Sequence, residues 1–421
     1  MIRQRLNNSK GRSTGLTYEL AKGEDLMLSY MARLRDPTGK YYHAGIKPDN
    51  GLARGGNFDY LFGRDSLIFS WQTEGYDINI TKDTLETLAK VQGKEKGKYG
   101  EEPGKIIHEI PSFRKPNINW LIPGKRYYFS VDSTPLFLIR MSSYVGRTCD
   151  ESLWKSAASA VRWILDYGII DGLLRYRKPA KEKGLQSQSW KDGIGSLTDS
   201  VVGPIAIAEV QGYAYAALSS SVIQKMIGKY DPELAARMAT AARMLKDKFN
   251  TEFWSAKDNF FYLSIDGNNQ KLMKVASNAG QLLFTGIIGR ERAKAIALRL
   301  TKPDMWTRFG IRTHSINEPD FDEFSYQRGS VWPHDNWIIA MGMKRMGFTK
   351  IYKQIRAAVV ECFLETGSAP EYLPVAPDGS LISLSDPRLS SPPCNPQAWT
   401  VGAMLYFFRE IRAEAAARCS G

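Results

Sequence analysis

The sequence Gln397-Ala-Trp-Thr-Val-Gly-Ala-Met-Leu-Tyr-Phe-Phe408 indicates most clearly how this chain folds. It predicts a helix over residues 397–417 whose middle, residues 401–408, is apolar on every face. A helix that is apolar all round lies either inside a protein core or across a membrane. This apolar run is about half as long as the apolar segment that a helix needs to span a bilayer. We therefore expect this helix to lie at the centre of a large core.

Helical patterns recur along the rest of the chain. Residues 151–167 are a clear example, because Trp154, Val161, Ile164 and Leu165 repeat at spacings of three and four. About twelve helices are predicted, and the others cover residues 16–34, 65–75, 82–92, 134–146, 209–227, 232–249, 278–287, 291–300, 334–346, 350–366 and 397–417. Strand patterns are scarce, apart from a short hairpin arm at residues 260–264 before the turn residues 266–269.

The connections between the predicted helices indicate how they are arranged. Long loops rich in Gly and Pro, at residues 93–103, 179–195 and 370–396, fall between helices, and no Ser/Pro-rich linker divides the chain. Paired helices without a boundary can close into a ring of hairpins around one core. We therefore predict an all-α toroid that forms a single catalytic domain over residues 16–421, after a flexible segment at residues 1–15.

Composition excludes several classes of protein. The 421 residues include 57 Lys and Arg against 44 Asp and Glu, a formal net charge of +13. Because the bases are scattered and interleaved with acids, we expect no nucleic-acid partner. The N terminus is basic and polar with no apolar segment behind it, so we expect no signal peptide, no membrane partner and a cytoplasmic location. The four Cys show no paired spacing and are expected to be reduced thiols.

Signatures of cofactor and metal enzymes are missing from the sequence. The stretch Ile107-His-Glu-Ile110 lacks the second His of a zinc-protease helix, and no phosphate-binding Gly-rich loop or Gly-x-Ser-x-Gly elbow occurs. The four His do not cluster along the chain. We therefore predict neither a metal nor a cofactor.

Carboxylates, aromatic rings and amides are instead concentrated in the long loops. Asp192 follows an indole in Gln188-Ser-Trp-Lys-Asp-Gly193, and Glu371 lies in a Pro-rich loop. Sugars stack on Trp and Tyr, and their hydroxyl groups bond to Asp, Arg, Asn and Gln. Cleavage of a glycosidic bond needs two carboxyl groups, one protonated and one ionised. This composition favours a glycoside hydrolase.

Each candidate carboxylate also has an ordinary structural explanation. Asp65 stands where a helix is predicted to begin and could be its N-cap. Asp192 beside Gly193 is common turn chemistry. Glu371 could be a solvated loop residue. The residues alone leave these alternatives open.

Nine motifs in the same order resemble those of amylo-α-1,6-glucosidases, the catalytic domain of bacterial and archaeal glycogen-debranching enzymes. They extend from about residue 54 to residue 405 and include Phe62-Gly-Arg-Asp-Ser, Val131-Asp-Ser-Thr, Gln188-Ser-Trp-Lys-Asp, Ser325-Tyr-Gln-Arg-Gly-Ser-Val-Trp-Pro-His and Pro370-Glu-Tyr. The resemblance implies an (α/α)6 barrel of six helical hairpins, acting on α-glucosidic bonds with inversion.

The same resemblance implies roles for individual residues. Asp192 corresponds to the general acid, and Glu371 to the general base that activates water. The residues implied to bind substrate are Arg64, Asp65, Trp190, Lys191, Glu209, Gln211, Tyr326, Gln327, Trp332, His334 and Trp399.

The expected substrate is an α-linked oligosaccharide or a branch derived from glycogen or starch, cut from its end at α-1,6 or other short α-linkages. Debranching enzymes of this type commonly carry a large β-rich domain before the barrel, and here about 55 residues precede the first motif. A small glycosylated osmolyte, such as glucosylglycerate or mannosylglycerate, is therefore the first alternative. Two other functions are further alternatives. One is a phosphorylase, which would need a phosphate pocket in place of the catalytic base. The other is a catalytically inactive carbohydrate-binding module, which would bind sugar without turnover.

Overall fold

The computed structural model describes residues 12–46, 58–110, 126–180, 184–193 and 195–419. The α-helices in these ranges are α1 Arg12–Leu34, α2 Gly63–Thr73, α3 Ile78–Lys90, α4 Ser133–Thr148, α5 Trp154–Trp163, α6 Ala208–Leu218, α7 Ser221–Gly228, α8 Pro232–Glu252, α9 Arg290–Leu300, α10 Pro333–Arg345, α11 Thr349–Thr366 and α12 Ala398–Cys419. A π-helical turn, Ile164–Gly168, continues α5, and a 3-10 helix covers Ser277–Phe284.

The strands in the described residues are short antiparallel ladders at the ends of helices and loops. They are β1 Leu61–Phe62, β2 Glu109–Ile110, β3 Ile169–Ile170, β4 Leu173–Leu174, β5 Ala206–Ile207, β6 Trp254–Ser255, β7 Phe260–Phe261, β8 Ser264–Ile265, β9 Lys271–Leu272, β10 Trp306–Thr307 and β11 Gly310–Ile311. Strands β5, β8 and β9 form one three-stranded sheet, and the others pair as β1–β2, β3–β4, β6–β7 and β10–β11.

Six helices form a closed inner ring. In chain order they are α2, α4, α6, the 3-10 helix, α10 and α12; each packs against the next, and α12 packs against α2. Outside them lie α1, α3, α5, α8, α9 and α11, each against an inner helix. This arrangement confirms the predicted all-α (α/α)6 toroid.

The core explains why the inner helices are so apolar. Val401, Ala403, Met404 and Leu405 of α12 are fully buried, as predicted from their run of apolar residues. One contiguous set of buried side chains extends around the ring from α1 to α12. None of the described helices combines the length and the apolar character needed to cross a membrane.

Some element boundaries differ from those expected. The predicted helix at residues 209–227 is two helices, since α6 ends at Leu218 and Ser220 caps α7 by accepting a hydrogen bond from the Ile223 N–H. The predicted helix at residues 278–287 is the 3-10 helix. In the predicted hairpin arm, β8 pairs across the turn with β9, while β7 pairs back with β6. Helix α1 begins at Arg12, and the rest of the predicted flexible segment, residues 1–11, lies outside the described residues.

Candidate active site

The first turns of the inner helices meet at one end of the ring. Arg64 in α2 reaches Asp132, which directly precedes α4, with 3.2 Å between Nη1 and Oδ2. The imidazole of His334 in α10 stacks on the indole of Trp399 in α12, with 3.7 Å between ring centroids. Helix N-termini carry partial positive charge, so this end of the ring favours carboxylates and other oxygen-rich groups.

Asp192, the candidate acid, lies on the loop between β4 and β5. Its Oδ2 accepts a hydrogen bond from Arg64 Nη2 at 2.6 Å and lies 3.9 Å from His108 Nε2. Burial raises the pKa of Asp192, although the guanidinium of Arg64 acts in the opposite direction. A raised pKa favours the protonated form that a proton donor needs.

Lys191 precedes Asp192 in the chain, but its ammonium group points elsewhere. Its Nζ donates to the main-chain oxygen of Thr313 at 2.6 Å and lies 5.0 Å from the ring centroid of Trp190. Burial lowers the pKa of Lys191, and the carboxylate of Asp335 acts against this. Lys191 therefore anchors the acid loop, residues 190–193, to the segment that contains Thr313.

Glu371, the candidate base, is only 2% exposed, so it is not the solvated loop residue that the sequence allowed. Its Oε1 accepts a hydrogen bond from the Tyr326 hydroxyl at 2.5 Å, and its Oε2 accepts one from the Cys394 N–H at 3.1 Å. Burial raises the pKa of Glu371 to about 8, although these two hydrogen bonds favour the ionised form. The two donors fix the orientation of the carboxylate.

Asp65 is the third residue of α2 and not its N-cap. The cap is Phe62, which makes no side-chain cap bond, and the helix begins at Gly63. Oδ2 of Asp65 is buried without a hydrogen-bond partner among the described residues, 3.7 Å from Arg64 Nε. Burial raises the pKa of Asp65 to about 7. A buried carboxylate with an unused acceptor oxygen is suited to receive a sugar hydroxyl.

Aromatic rings form one wall beside these carboxylates. Trp332 stands edge-on to Trp190 and Tyr326, with centroids 5.6 and 4.8 Å apart, and stacks on Tyr372 at 5.4 Å. His334 lies between Trp190 and Trp399. Burial lowers the pKa of His334 well below its ordinary value, so its imidazole is neutral.

Several of the residues predicted to bind sugar have buried polar atoms without a hydrogen-bond partner among the described residues. Glu209 is fully buried, and neither of its carboxylate oxygens has a hydrogen-bond partner among the described residues. The same holds for both ring nitrogens of His334 and for Nε1 of Trp190 and Trp399. Buried polar atoms are usually paired in a folded protein. These atoms are therefore available to bond to the hydroxyl groups of a sugar.

Two residues predicted to contact sugar have side-chain amides that are hydrogen-bonded to main-chain groups. The side-chain amide of Gln211 accepts from the Leu174 N–H at 2.8 Å and donates to the Leu174 oxygen at 2.7 Å. The amide of Gln327 donates to the Trp190 oxygen at 2.8 Å and accepts from the Gly193 N–H at 3.0 Å. Both side-chain amides are therefore already hydrogen-bonded to main-chain groups of neighbouring segments.

The structure also adds residues that the sequence interpretation missed. Asp132 is fully buried and accepts hydrogen bonds from Ser130 Oγ at 2.6 Å and from Arg64. His108 stacks on Tyr127 with ring centroids 5.2 Å apart, and its Nε2 lies 3.9 Å from Oδ2 of Asp192. Asp132 lies within the recognised motif Val131-Asp-Ser-Thr, which assigns it no role, and the sequence presents His108 only in a zinc-protease motif that it does not complete.

Among the described residues, His314, Glu318 and Asp320 have donor atoms within 4.8 Å of one another, as a metal site would. Lys274 forms an ion pair with Asp320, and His314 Nε2 lies 3.0 Å from the same carboxylate oxygen. Burial lowers the pKa of His314 to about 4. The protein's own Lys therefore neutralises this carboxylate, and the absence of a metal or cofactor stays a prediction.

Comparison with known proteins identifies related chains. The family model of the mannosylglycerate hydrolase MGH1-like glycoside hydrolase domain matches residues 157–374, just over half of the chain. Mannosylglycerate hydrolase MGH1 of Selaginella moellendorffii is 26% identical over 155 residues, which are 34% of this chain and 32% of that protein. Mannosylglycerate hydrolase of Thermus thermophilus is 25% identical over 153 residues, 34% of this chain and 37% of the relative. The matched segments thus span about a third of these relatives.

Solved structures share the fold over nearly the whole chain. A GH63 mannosylglycerate hydrolase of Thermus thermophilus, in complex with Tris and D-glycerate, superposes with a TM-score of 0.65 at 15% identity and covers 92% of this chain and 100% of its own. The resemblance drawn from the motifs is therefore correct for the six-hairpin glycosidase architecture, while amylo-α-1,6-glucosidase itself is not supported. The chain belongs to the MGH1-like glycoside hydrolase family.

Proposed function

We propose that this protein hydrolyses the α-glycosidic bond of a small glycosylglycerate with inversion, using Asp192 as general acid and Glu371 as general base. One observation carries the proposal: a partly buried carboxyl group and a buried one, on different loops, are held by different kinds of partner. Asp192 lies against the cation of Arg64, whereas the donors to the Glu371 carboxylate among the described residues are neutral, namely the Tyr326 hydroxyl and the Cys394 N–H. The Arg64 cation would stabilise the carboxylate that Asp192 becomes once it has given up its proton, and the two neutral donors favour the ionised form of Glu371 that a base needs.

The reaction would proceed in one displacement. Asp192 gives its proton to the glycosidic oxygen as the bond to the anomeric carbon breaks, and the glycerate leaves with that proton. Glu371 takes a proton from water, whose oxygen bonds to the anomeric carbon from the opposite face. The charge that forms on Asp192 is stabilised by Arg64 Nη2, which is already at hydrogen-bond distance. The released sugar would have the β configuration.

The burial of the site supports a small substrate over a glucan branch. Arg64, Asp65, Trp332 and Glu371 are all buried, and the Asp192 side chain is 18% exposed. Two of the similar structures are complexes with D-glycerate and with glucose. Both the names of the relatives and this burial therefore favour the osmolyte alternative over the α-1,6-debranching substrate.

A panel of substrates tests the proposal. Purified protein would be incubated with mannosylglycerate, glucosylglycerate, isomaltose, panose and kojibiose, with and without inorganic phosphate, and the products identified. We expect free sugar and glycerate from at least one glycosylglycerate, independent of phosphate, and loss of that activity in Asp192→Asn. Preferential cleavage of isomaltose or panose would contradict the substrate, a sugar phosphate would indicate a phosphorylase, and sugar binding without turnover would indicate an inactive binding module.

A further inference from the structure

One side chain holds the acid loop, residues 190–193, on both sides of the candidate acid. Nε2 of Gln327 donates to the main-chain oxygen of Trp190 at 2.8 Å, and its Oε1 accepts from the Gly193 N–H at 3.0 Å. Gln327 is 2% exposed. A buried amide with both ends bonded to the main chain fixes a loop in one position.

The close approach of this loop depends on a glycine. A Cβ atom at Gly193 would lie 2.9 Å from Cδ1 of Tyr326 and 3.1 Å from Oε1 of Gln327. The ring of Tyr326 has little room to retreat, because it packs edge-on against Trp332 at 4.8 Å and Tyr372 at 5.3 Å. A residue larger than glycine at position 193 would therefore clash with the side chains of Tyr326 and Gln327.

The preceding residue holds the other candidate catalytic group. The hydroxyl of Tyr326 donates to Oε1 of Glu371 at 2.5 Å. The main chain of Tyr326 is itself anchored, since its oxygen accepts from Ser330 Oγ at 2.6 Å and its N–H donates to Ser390 Oγ at 2.9 Å. Two consecutive residues thus contact the acid loop and the base.

We propose that residues 326–327 form a positioning element that sets the acid and the base relative to each other, and that Gln327 acts on Asp192 through the acid loop and not by contacting sugar. The inference rests on the proposed function, which supplies the roles of Asp192 and Glu371. Loss of the Gln327 clamp would misplace the proton donor and leave the base and the sugar contacts in place.

The identity of the leaving group separates this role from sugar binding. A glycerate needs the acid's proton as it departs, whereas fluoride from the matching α-glycosyl fluoride needs little assistance. In Gln327→Met, which keeps the length of the side chain but loses both hydrogen bonds, we expect kcat on the glycosylglycerate to fall about 100-fold, the order of loss expected from a misplaced catalytic group. On the glycosyl fluoride we expect a fall of less than about fivefold, with KM little changed for both substrates.

Tyr326→Phe is the matched control, because it removes one hydrogen bond from the base and none from the acid loop. Both substrates need the activated water, so this variant should lose similar factors on both. Gln327→Glu tests conservative rescue: when protonated, its carboxyl group keeps both the acceptor for the Gly193 N–H and a donor to the Trp190 oxygen, so at pH values where it is protonated this variant should retain more activity on the glycosylglycerate than Gln327→Met. Equal losses on the two substrates in Gln327→Met, or a raised KM with unchanged kcat, would overturn the proposal.

Hydrogen exchange gives a readout that needs no turnover, so failure of the clamp can be told apart from failure of the proposed function. The Gly193 N–H should exchange faster in Gln327→Met than in the wild-type protein, while the Cys394 N–H, bonded to Glu371, should not change. Unchanged exchange at Gly193 would show that Gln327 does not hold the loop, whatever the enzyme hydrolyses.

Discussion

Arg64 Nη2 lies 2.6 Å from Oδ2 of Asp192, and the same guanidinium lies 3.2 Å from Asp132 and 3.7 Å from Asp65. One buried cation therefore faces three carboxyl groups from separate parts of the chain. A guanidinium can serve several partners at once because its donors point in different directions within one plane. The position of the candidate acid thus depends on the first turn of α2.

Arg64→Lys should show this dependence. A Lys ammonium keeps the charge but cannot reproduce the fork of donors. We expect kcat on a glycosylglycerate to fall at least about tenfold. Because Arg64 lowers the pKa of Asp192, the limb of the pH–rate profile that belongs to the acid should move to higher pH. Arg162→Lys is the control, since Arg162 lies on the outer helix α5, is half exposed and forms an ion pair with Asp231.

The base can be tested through its neutral hydrogen-bond donor. The hydroxyl of Tyr326 favours the ionised form of Glu371, so Tyr326→Phe should raise the pKa of that carboxyl above its value of about 8. Ionised Glu371 is the active form of the base. The acidic limb of the profile of kcat/KM against pH should therefore shift to higher pH in Tyr326→Phe. A profile that coincides with that of the wild-type protein would argue against Glu371 as the base.

The ionised form of Asp65 should lower the free energy of unfolding at alkaline pH. Its pKa is about 7 in the folded protein and near the ordinary value of 3.8 when unfolded, so the folded state binds more protons between these values. The corresponding stability is fully present below about pH 4 and is lost as the pH rises through about 7. Asp65→Asn removes the buried charge, and at pH 8 we expect its Tm to exceed that of the wild-type protein by about 2 °C or more.

The same variant should lose activity as it gains stability. An amide cannot accept from sugar hydroxyls as strongly as a carboxylate, so kcat/KM should fall while the fold persists. Thermal scans at pH 5 and pH 8, together with kcat/KM at pH 7, check both expectations. A Tm difference that is the same at both pH values, or unchanged activity, would contradict the account of Asp65.

Much of the fold follows from the sequence because burial and apolar pattern coincide in the inner helices. The stretch at residues 401–408 indicates a central helix, and Val401 and Leu405 are indeed fully buried. The break between α6 and α7 was readable in principle, since Ser220 is a good N-cap. The 3-10 form of Ser277–Phe284 was not, because apolar spacing over eight residues does not separate the two kinds of helix.

The candidate site could be predicted only in part. Motifs identified Asp192 and Glu371 as candidates, but the contact of Gln327 with residues 190 and 193 joins segments far apart in sequence, and no local pattern shows it. Motifs also did not separate debranching enzymes from mannosylglycerate hydrolases.

The configuration of the released sugar shows whether Asp192 and Glu371 act together as the acid and base of an inverting hydrolase. An inverting enzyme needs room for a water molecule between the base and the anomeric carbon, which places its carboxyl groups roughly 6.5–9.5 Å apart, against about 5–5.5 Å in a retaining enzyme. Proton NMR of an α-linked glycosylglycerate, recorded immediately after enzyme addition, resolves the anomeric signals before mutarotation mixes them. If Asp192 and Glu371 act as proposed, the first sugar released is the β-anomer. An α-anomer released first would contradict the assignment of Glu371 as a base acting through water.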